Sequence, residues 1–223
     1  RKQAGTARAI TAVTYSREHH LPCPDGELNR VLGGGIVQGS LILVGGEPGI
    51  GKSTLLLQLA LRLEGRKVLY VSGEESEQQI KMRANRIGIK NKECYVLAST
   101  ALAEVLQQVE VLQPQVLIID SIQTLYTEYI DSTPGSVSQI RECANQLQRL
   151  AKDTGIPVFI IGHITKEGQL AGPKLLEHVV DTVLHYVVKQ IMEGLNSRFH
   201  VAHGHSRCGL TDLQTCLAHL DFL

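Results

Sequence analysis

The segment Gly46-Glu47-Pro48-Gly49-Ile50-Gly51-Lys52-Ser53 constrains the fold more than any other part of the 223 residues. It follows the apolar run Leu41-Ile42-Leu43-Val44 and leads into a helical pattern with Leu55, Leu56, Leu59 and Leu63 on one face. A short, continuous apolar run reads as a strand buried on both faces. Strand, glycine-rich turn and helix in direct succession form the setting in which G-x-x-x-x-G-K-[ST] cradles a phosphate chain. Glycines let successive backbone N–H groups converge on one anion. The helix start adds its own unpaired N–H groups and the positive end of its dipole. Lys52 is then expected to reach the β- and γ-phosphates, and the Ser53 hydroxyl to ligate Mg²⁺, with Thr54 beside it in the first turn. ATP and Mg²⁺ are the expected ligands.

Around this element apolar runs alternate with helical periodicity. Lys67 to Val71, Tyr95 to Leu97, Val116 to Ile119, Pro157 to Ile161 and Thr182 to Val188 read as further strands. Residues 76 to 87 read as a polar helix, and two amphipathic helices follow. One carries Leu102, Val105, Leu106, Val109 and Leu112; the other carries Val137, Ile140, Ala144, Leu147 and Ala151. Strands separated by helices imply crossover connections and a mainly parallel sheet covered on both sides. The expectation is an α/β P-loop NTPase of the RecA-like class, with helices flanking the sheet. Residues 1 to 20 read as a linker or arm, and 21 to 188 as the ATPase core. Leu21 to Ser40 reads as a lead-in with turns. Residues 189 to 223 read as a divergent C-terminal segment able to complete the core.

Composition narrows the class further. Hydrophobic residues make up 43% and charged residues 20%, enough apolar material for one core. The 22 basic and 22 acidic residues cancel, so bulk charge neither announces nucleic acid nor excludes it. No run approaches the roughly 18 apolar residues of a membrane span, and the first residues lack a signal-peptide core. Cys23, Cys94, Cys143, Cys208 and Cys216 are odd in number and form no C-x-x-C pair. That pattern fits reduced thiols in a cytoplasmic protein. The sequence starts without methionine and is read as a fragment.

Two acidic positions complete the expected chemistry. Asp120 ends the run Val116 to Ile119, at the strand edge where ligands of parallel sheets gather. A carboxylate there can hold Mg²⁺ through a water; a helix N-cap is the structural alternative. Glu74 lies in Tyr70-Val71-Ser72-Gly73-Glu74-Glu75-Ser76, at the end of the strand after the P-loop helix. In RecA-like ATPases a carboxylate at that place polarises the attacking water, so Glu74 is the expected base. Glu75 reads as a helper or a surface charge. A plain helix start capped by Ser72 or Ser76 remains the alternative.

The chain resembles the bacterial DNA-repair ATPase family RadA, also called Sms. The resemblance rests on Leu32-Gly33-Gly34-Gly35-Ile36-Val37-Gln38-Gly39-Ser40, the P-loop, and Tyr70 to Ser76. It also rests on Asp120-Ser121-Ile122-Gln123-Thr124, on Gly162-His163-Ile164-Thr165-Lys166-Glu167-Gly168, and on Ala171 to Lys174 with Leu176 to Asp181. It implies a DNA-binding ATPase, assembled as a homo-oligomeric ring and expected to be a hexamer. Such a ring acts on single-stranded or branched DNA, with a RecA-type recombinase as an expected partner. By the same resemblance Gly162 to Lys174 faces a central channel, Lys166 and Lys174 contact DNA phosphates, and His163 senses the γ-phosphate.

The sequence departs from the family in three places. It contains neither the family's four-cysteine zinc module nor its Lon-like domain. The family's Lys-Asn-Arg-Phe-Gly motif has as its nearest counterpart Asn196-Ser197-Arg198-Phe199-His200, without the lysine that reaches a neighbouring subunit's nucleotide. Three alternatives stay open: a nucleotide-gated DNA-binding or assembly module with weak hydrolysis, a KaiC-like switching ATPase, and a replicative helicase. His203, His205, Cys208, Cys216 and His219 match no common zinc spacing and read as surface residues.

Overall fold

The computed structural model describes residues 7, 9–12, 20–163, 176–191 and 194–201, with side chains described up to residue 187. Two short strands, β1 (His20–Leu21) and β2 (Ile36–Val37), pair antiparallel and bracket a short helix, α1 (Gly26–Val31). β3 (Leu41–Gly46), α2 (Lys52–Arg62), β4 (Val68–Ser72), α3 (Glu77–Ile87) and β5 (Cys94–Ala98) follow. Next come α4 (Leu102–Leu112), β6 (Val116–Asp120), α5 (Val137–Thr154), β7 (Val158–His163), β8 (Thr182–Ile191) and β9 (Gly194–Val201). The order across the seven-stranded sheet is β5-β4-β6-β7-β3-β8-β9. Strands β3 to β8 run parallel to their neighbours, and β9 alone is antiparallel. The expected RecA-like, mainly parallel architecture is the one observed.

Strand alternation sorts the core into two layers. Ile42, Val44, Tyr70, Val116, Ile118, Phe159 and Ile161 pack on one face against Leu28 of α1, Leu55, Leu56 and Leu59 of α2, and Ile80 of α3. Leu41, Leu43, Leu69, Val71, Leu117, Ile119 and Ile160 pack on the other against Val105 and Val109 of α4 and Ile140, Ala144 and Leu147 of α5. Successive strand residues point to opposite faces, so a strand covered on both sides must be apolar at every position. That is why β3, β4, β6 and β7 read as unbroken apolar runs rather than as alternating ones.

Local chemistry sets several boundaries. Ser76 caps α3 in a capping box, its Oγ accepting from Gln79 N while the Gln79 side chain accepts from Ser76 N. Ser136 caps α5, and Gly155 ends it in the left-handed conformation. The lead-in holds more order than its glycines indicate. Asp25 Oδ1 accepts from Leu28 N at 2.8 Å and starts α1, an element absent from the sequence expectation. Residues 189–191 prolong β8 and 194–201 form β9, so part of the expected divergent segment extends the sheet. Residues 202–223, with the histidines and cysteines of the tail, lie outside the described residues. Among the described residues no helix is long and apolar enough to cross a membrane.

Candidate nucleotide-binding site

Parallel strands deliver their C-terminal ends to one edge of the sheet, and the expected site residues stand along it. Gly46 ends β3 opposite His163 at the end of β7. Ser72 ends β4 opposite Asp120 at the end of β6. The loop of Glu47, Pro48, Gly49 and Ile50 then turns into α2 through Gly51, whose φ of 99° is left-handed and suits glycine alone. Gly46 is fixed by space instead: a Cβ there would lie 2.7 Å from Ile50 Cδ1 and 2.7 Å from the Tyr186 carbonyl oxygen. No side chain caps α2, which leaves its first N–H groups directed at the loop.

Lys52, the first residue of α2, is 3% exposed. Its Nζ donates to the carbonyl oxygens of Gly46 and Glu47, each at 2.8 Å. Burial lowers the ammonium's pKa from its ordinary value, while Asp120 and Glu74 act to raise it. Ser53 Oγ donates to Asp120 Oδ1 at 3.1 Å, and Asp120 is 5% exposed. Thr54 is exposed on the next position of the helix. A buried ammonium, a hydroxyl and a carboxylate on one strand edge form a donor set suited to a polyphosphate with a hard, oxygen-preferring cation. The structure thus brings Gly46 to Thr54 and Asp120 together at one edge of the sheet.

Glu74 and Glu75 part company here. Glu74 Oε1 accepts from Ser121 Oγ at 3.1 Å and lies 3.6 Å from His163 Nε2. Glu75 turns away into an ion pair with Arg83 of α3 at 2.8 Å. Neither glutamate starts a helix; Ser76 caps α3, while Ser72 Oγ accepts from the N–H groups of Glu74 and Glu75. His163 Nδ1 and Gln123 Oε1 are each buried without a hydrogen-bond partner among the described residues. Lys166 and Lys174 fall outside the described residues. Arg198 stands on β9, and its side chain is not described.

Three residues at this edge have no role expected from the sequence. Tyr70 on β4 donates its hydroxyl to Asp120 Oδ2 at 2.6 Å, Arg83 donates to that hydroxyl at 3.3 Å, and Ser121 orients Glu74. A tyrosine inside an otherwise apolar buried strand was the available clue, since a buried phenol needs a partner. Burial and the neighbouring Asp120 push the Tyr70 hydroxyl well above its ordinary pKa. A groove of about 910 Å³ lies elsewhere. Arg66, Pro114, Gln115, Ile156 and Pro157 in its lining precede β4, β6 and β7, which puts it at the opposite edge from Lys52 and Asp120.

Residues 7–169 match the AAA domain family. Over 179 residues the chain is 54% identical to the DNA repair protein RadA of Bacillus subtilis, covering 79% of this chain and 39% of that protein. It is 46% identical over 216 residues to RadA of Pseudomonas aeruginosa, covering 94% of this chain and 48% of that protein. The chain therefore spans less than half the length of these relatives. The crystal structure of the KaiC-like protein PH0186 from Pyrococcus horikoshii superposes with a TM-score of 0.64 at 16% identity, covering 86% of this chain and 92% of that one. At that identity the likeness shows the fold. The chain belongs to the AAA domain family and, within it, is a RecA-like ATPase core of the RadA family.

Proposed function

We propose that this domain hydrolyses ATP and couples hydrolysis to the handling of single-stranded or branched DNA. The observation that carries the reading is the convergence of Lys52, Ser53, Asp120 and Glu74 on one strand edge. The P-loop N–H groups and Lys52 bind the phosphate chain and offset its charge. Ser53 and Asp120 are the residues that would hold Mg²⁺, which when bound neutralises the β- and γ-phosphate oxygens. Glu74 takes the proton of the attacking water, its carboxylate oriented by the Ser121 hydroxyl. His163, 3.6 Å from Glu74, links that base to the segment after β7. Lys166 and Lys174 of that segment bind DNA phosphates. Relatives named DNA repair proteins support the cellular setting. A hexameric ring, a RecA-type recombinase partner and a cytoplasmic location belong to the same proposal.

The test is ATP turnover of wild type, Lys52→Ala and Glu74→Gln during a single-stranded DNA titration. Lys52→Ala is expected to lose Mg·ATP binding. Glu74→Gln is expected to keep binding and lose turnover by about 10²–10⁴-fold. Lys166→Ala is expected to weaken DNA binding and flatten its salt dependence. Wild type that takes up no Mg·ATP in calorimetry refutes the site; turnover indifferent to DNA refutes the coupling. A second reading, a nucleotide-gated assembly module with weak hydrolysis, is favoured by one observation. The stretch Asn196-Ser197-Arg198-Phe199 on β9 has no lysine. Single-turnover rates that stay slow at saturating DNA and protein would select it.

A further inference from the structure

Asp120 is held from behind by a chain of side chains that the motifs do not predict. Tyr70 is fully buried at the middle of β4, and its hydroxyl lies 2.6 Å from Asp120 Oδ2 and 3.3 Å from the Ser53 carbonyl oxygen. Arg83 Nη2 reaches the same hydroxyl at 3.3 Å, and Glu75 pairs with that guanidinium at 2.8 Å. Donor and acceptor roles fix the direction of the chain. A guanidinium only donates and an ionised carboxylate only accepts. The phenol therefore accepts from Arg83 and directs its single proton forward, with Asp120 Oδ2 much the nearer acceptor. Oδ2 is thereby engaged inside the core, and Oδ1 is the oxygen left facing Ser53 at 3.1 Å.

We infer that Tyr70, backed by Arg83, is a positioning residue that fixes which oxygen of Asp120 faces the metal side of the phosphate cradle. The inference rests on the reading of Ser53 and Asp120 as the Mg²⁺-holding pair. A carboxylate free to rotate presents either oxygen and loses alignment with Ser53, whereas one tied at Oδ2 offers Oδ1 at a fixed place. Partners behind a metal-side ligand typically influence metal affinity by about 10–100-fold. The same arrangement explains why Glu75 is unsuited to act on water: its carboxylate is committed to the guanidinium that supports Tyr70.

The experiment compares wild type, Tyr70→Phe and Arg83→Gln in the full chain. Calorimetry measures binding of a non-hydrolysable ATP analogue with and without Mg²⁺, and a Mg²⁺ titration of turnover gives the half-saturating concentration. Tyr70→Phe removes one oxygen and keeps the ring. It is expected to bind metal-free analogue within about twofold of wild type, while Mg²⁺-assisted binding weakens and half-saturating Mg²⁺ rises by about 10-fold or more. Arg83→Gln is expected to shift the same two readouts in the same direction by less, and it carries the test if Tyr70→Phe does not fold. Unchanged Mg²⁺ dependence in a folded variant overturns the inference, as does an equal loss of metal-free and metal-assisted binding, which marks simple packing damage. Wild-type binding that ignores Mg²⁺ and the change Ser53→Ala would instead overturn the nucleotide-site reading, and this inference with it.

Discussion

Gly73→Ala isolates the contact that sets where Glu74 stands. Gly73 follows β4 and donates its N–H to the Asp120 carbonyl oxygen at 3.0 Å. A Cβ at this position would lie 2.2 Å from Thr124 Oγ1, 2.6 Å from Thr124 Cβ and 3.0 Å from Thr100 Cγ2. Carbon atoms rest at about 3.5–4.0 Å, so the two segments must part by roughly 1 Å. Rotating Thr124 moves Oγ1 aside but leaves its Cβ in the way. Overpacking of this kind costs about 1–3 kcal/mol of stability. Because Glu74 is the next residue, the same displacement stretches its 3.1 Å contact with Ser121. Misplacing a catalytic group by about 1 Å can cost about 10²-fold in rate. Denaturant melts and single-turnover hydrolysis measure the two effects separately. The companion change Thr124→Gly removes the two nearest of these atoms and leaves Thr100 Cγ2 at 3.0 Å. It also loses the 2.8 Å bond from Thr124 Oγ1 to the Ser121 carbonyl oxygen, so alone it destabilises. In the double variant the two costs should fall short of their sum by about 0.5–3 kcal/mol. A Gly73→Ala protein with wild-type stability and turnover refutes the argument, and so does strict additivity in the double variant.

Three further outcomes follow from particular contacts. Gln139 is 2% exposed; it accepts from Thr127 N and donates to the carbonyl oxygens of Thr127, Ile130 and Ser132. Gln139→Ala should therefore cost about 1–3 kcal/mol and speed amide exchange at Thr127, and exchange at wild-type rates there would contradict it. Asp181 Oδ2 accepts from Leu41 N at 2.8 Å, and its carboxylate pairs at 2.7 Å with a half-exposed Lys152. Lys152→Ala should cost under about 1 kcal/mol because solvent screens that pair. Asp181→Ala should cost more by leaving Leu41 N unmet, and denaturant melts that reverse the order would be decisive. Burial pushes the Cys23 and Cys143 thiols up to about 12 and Cys94 up to about 11, leaving little thiolate at neutral pH. Peptide mass spectrometry after alkylation should find all three slow in the native protein and fast after unfolding. Rapid native labelling of Cys143 would show that its burial is misjudged.

What the sequence revealed follows from the range of each interaction. β3, β4, β6 and β7 were legible because burial on two faces demands an apolar residue at each step, a rule visible within a few residues. The phosphate cradle was legible because its glycines, Lys52 and Ser53 act within one turn of chain. α1 was missed because six residues between prolines and glycines show no period; Asp25 three places before Leu28 was the one local sign. β9 was missed because it gains its partner only by pairing with β8. Position favoured Glu74 over Glu75 as the base, but the ion pair that engages Glu75 was not legible, since it comes from Arg83, eight residues further along the chain. Tyr70 and Asp120 lie fifty residues apart in sequence, and no motif spans that distance.

The two carboxylates of this edge differ in a way that matches the work proposed for each. Asp120 is 5% exposed and bonded on both oxygens, to Ser53 and to Tyr70. Glu74 has a side chain 53% exposed, which among the described residues accepts one hydrogen bond, from Ser121, with His163 close by. A group that helps hold a cation gains from being fixed before the ligand arrives, because the ordering is then complete at folding. A group that must meet a water and respond to what lies beyond β7 gains from few ties. Both stand at the ends of neighbouring parallel strands, so their spacing is set by the sheet while their freedom is set by what lies behind them. Behind Asp120 lie Tyr70, Arg83 and Glu75, whereas among the described residues Glu74 is met by Ser121 and His163.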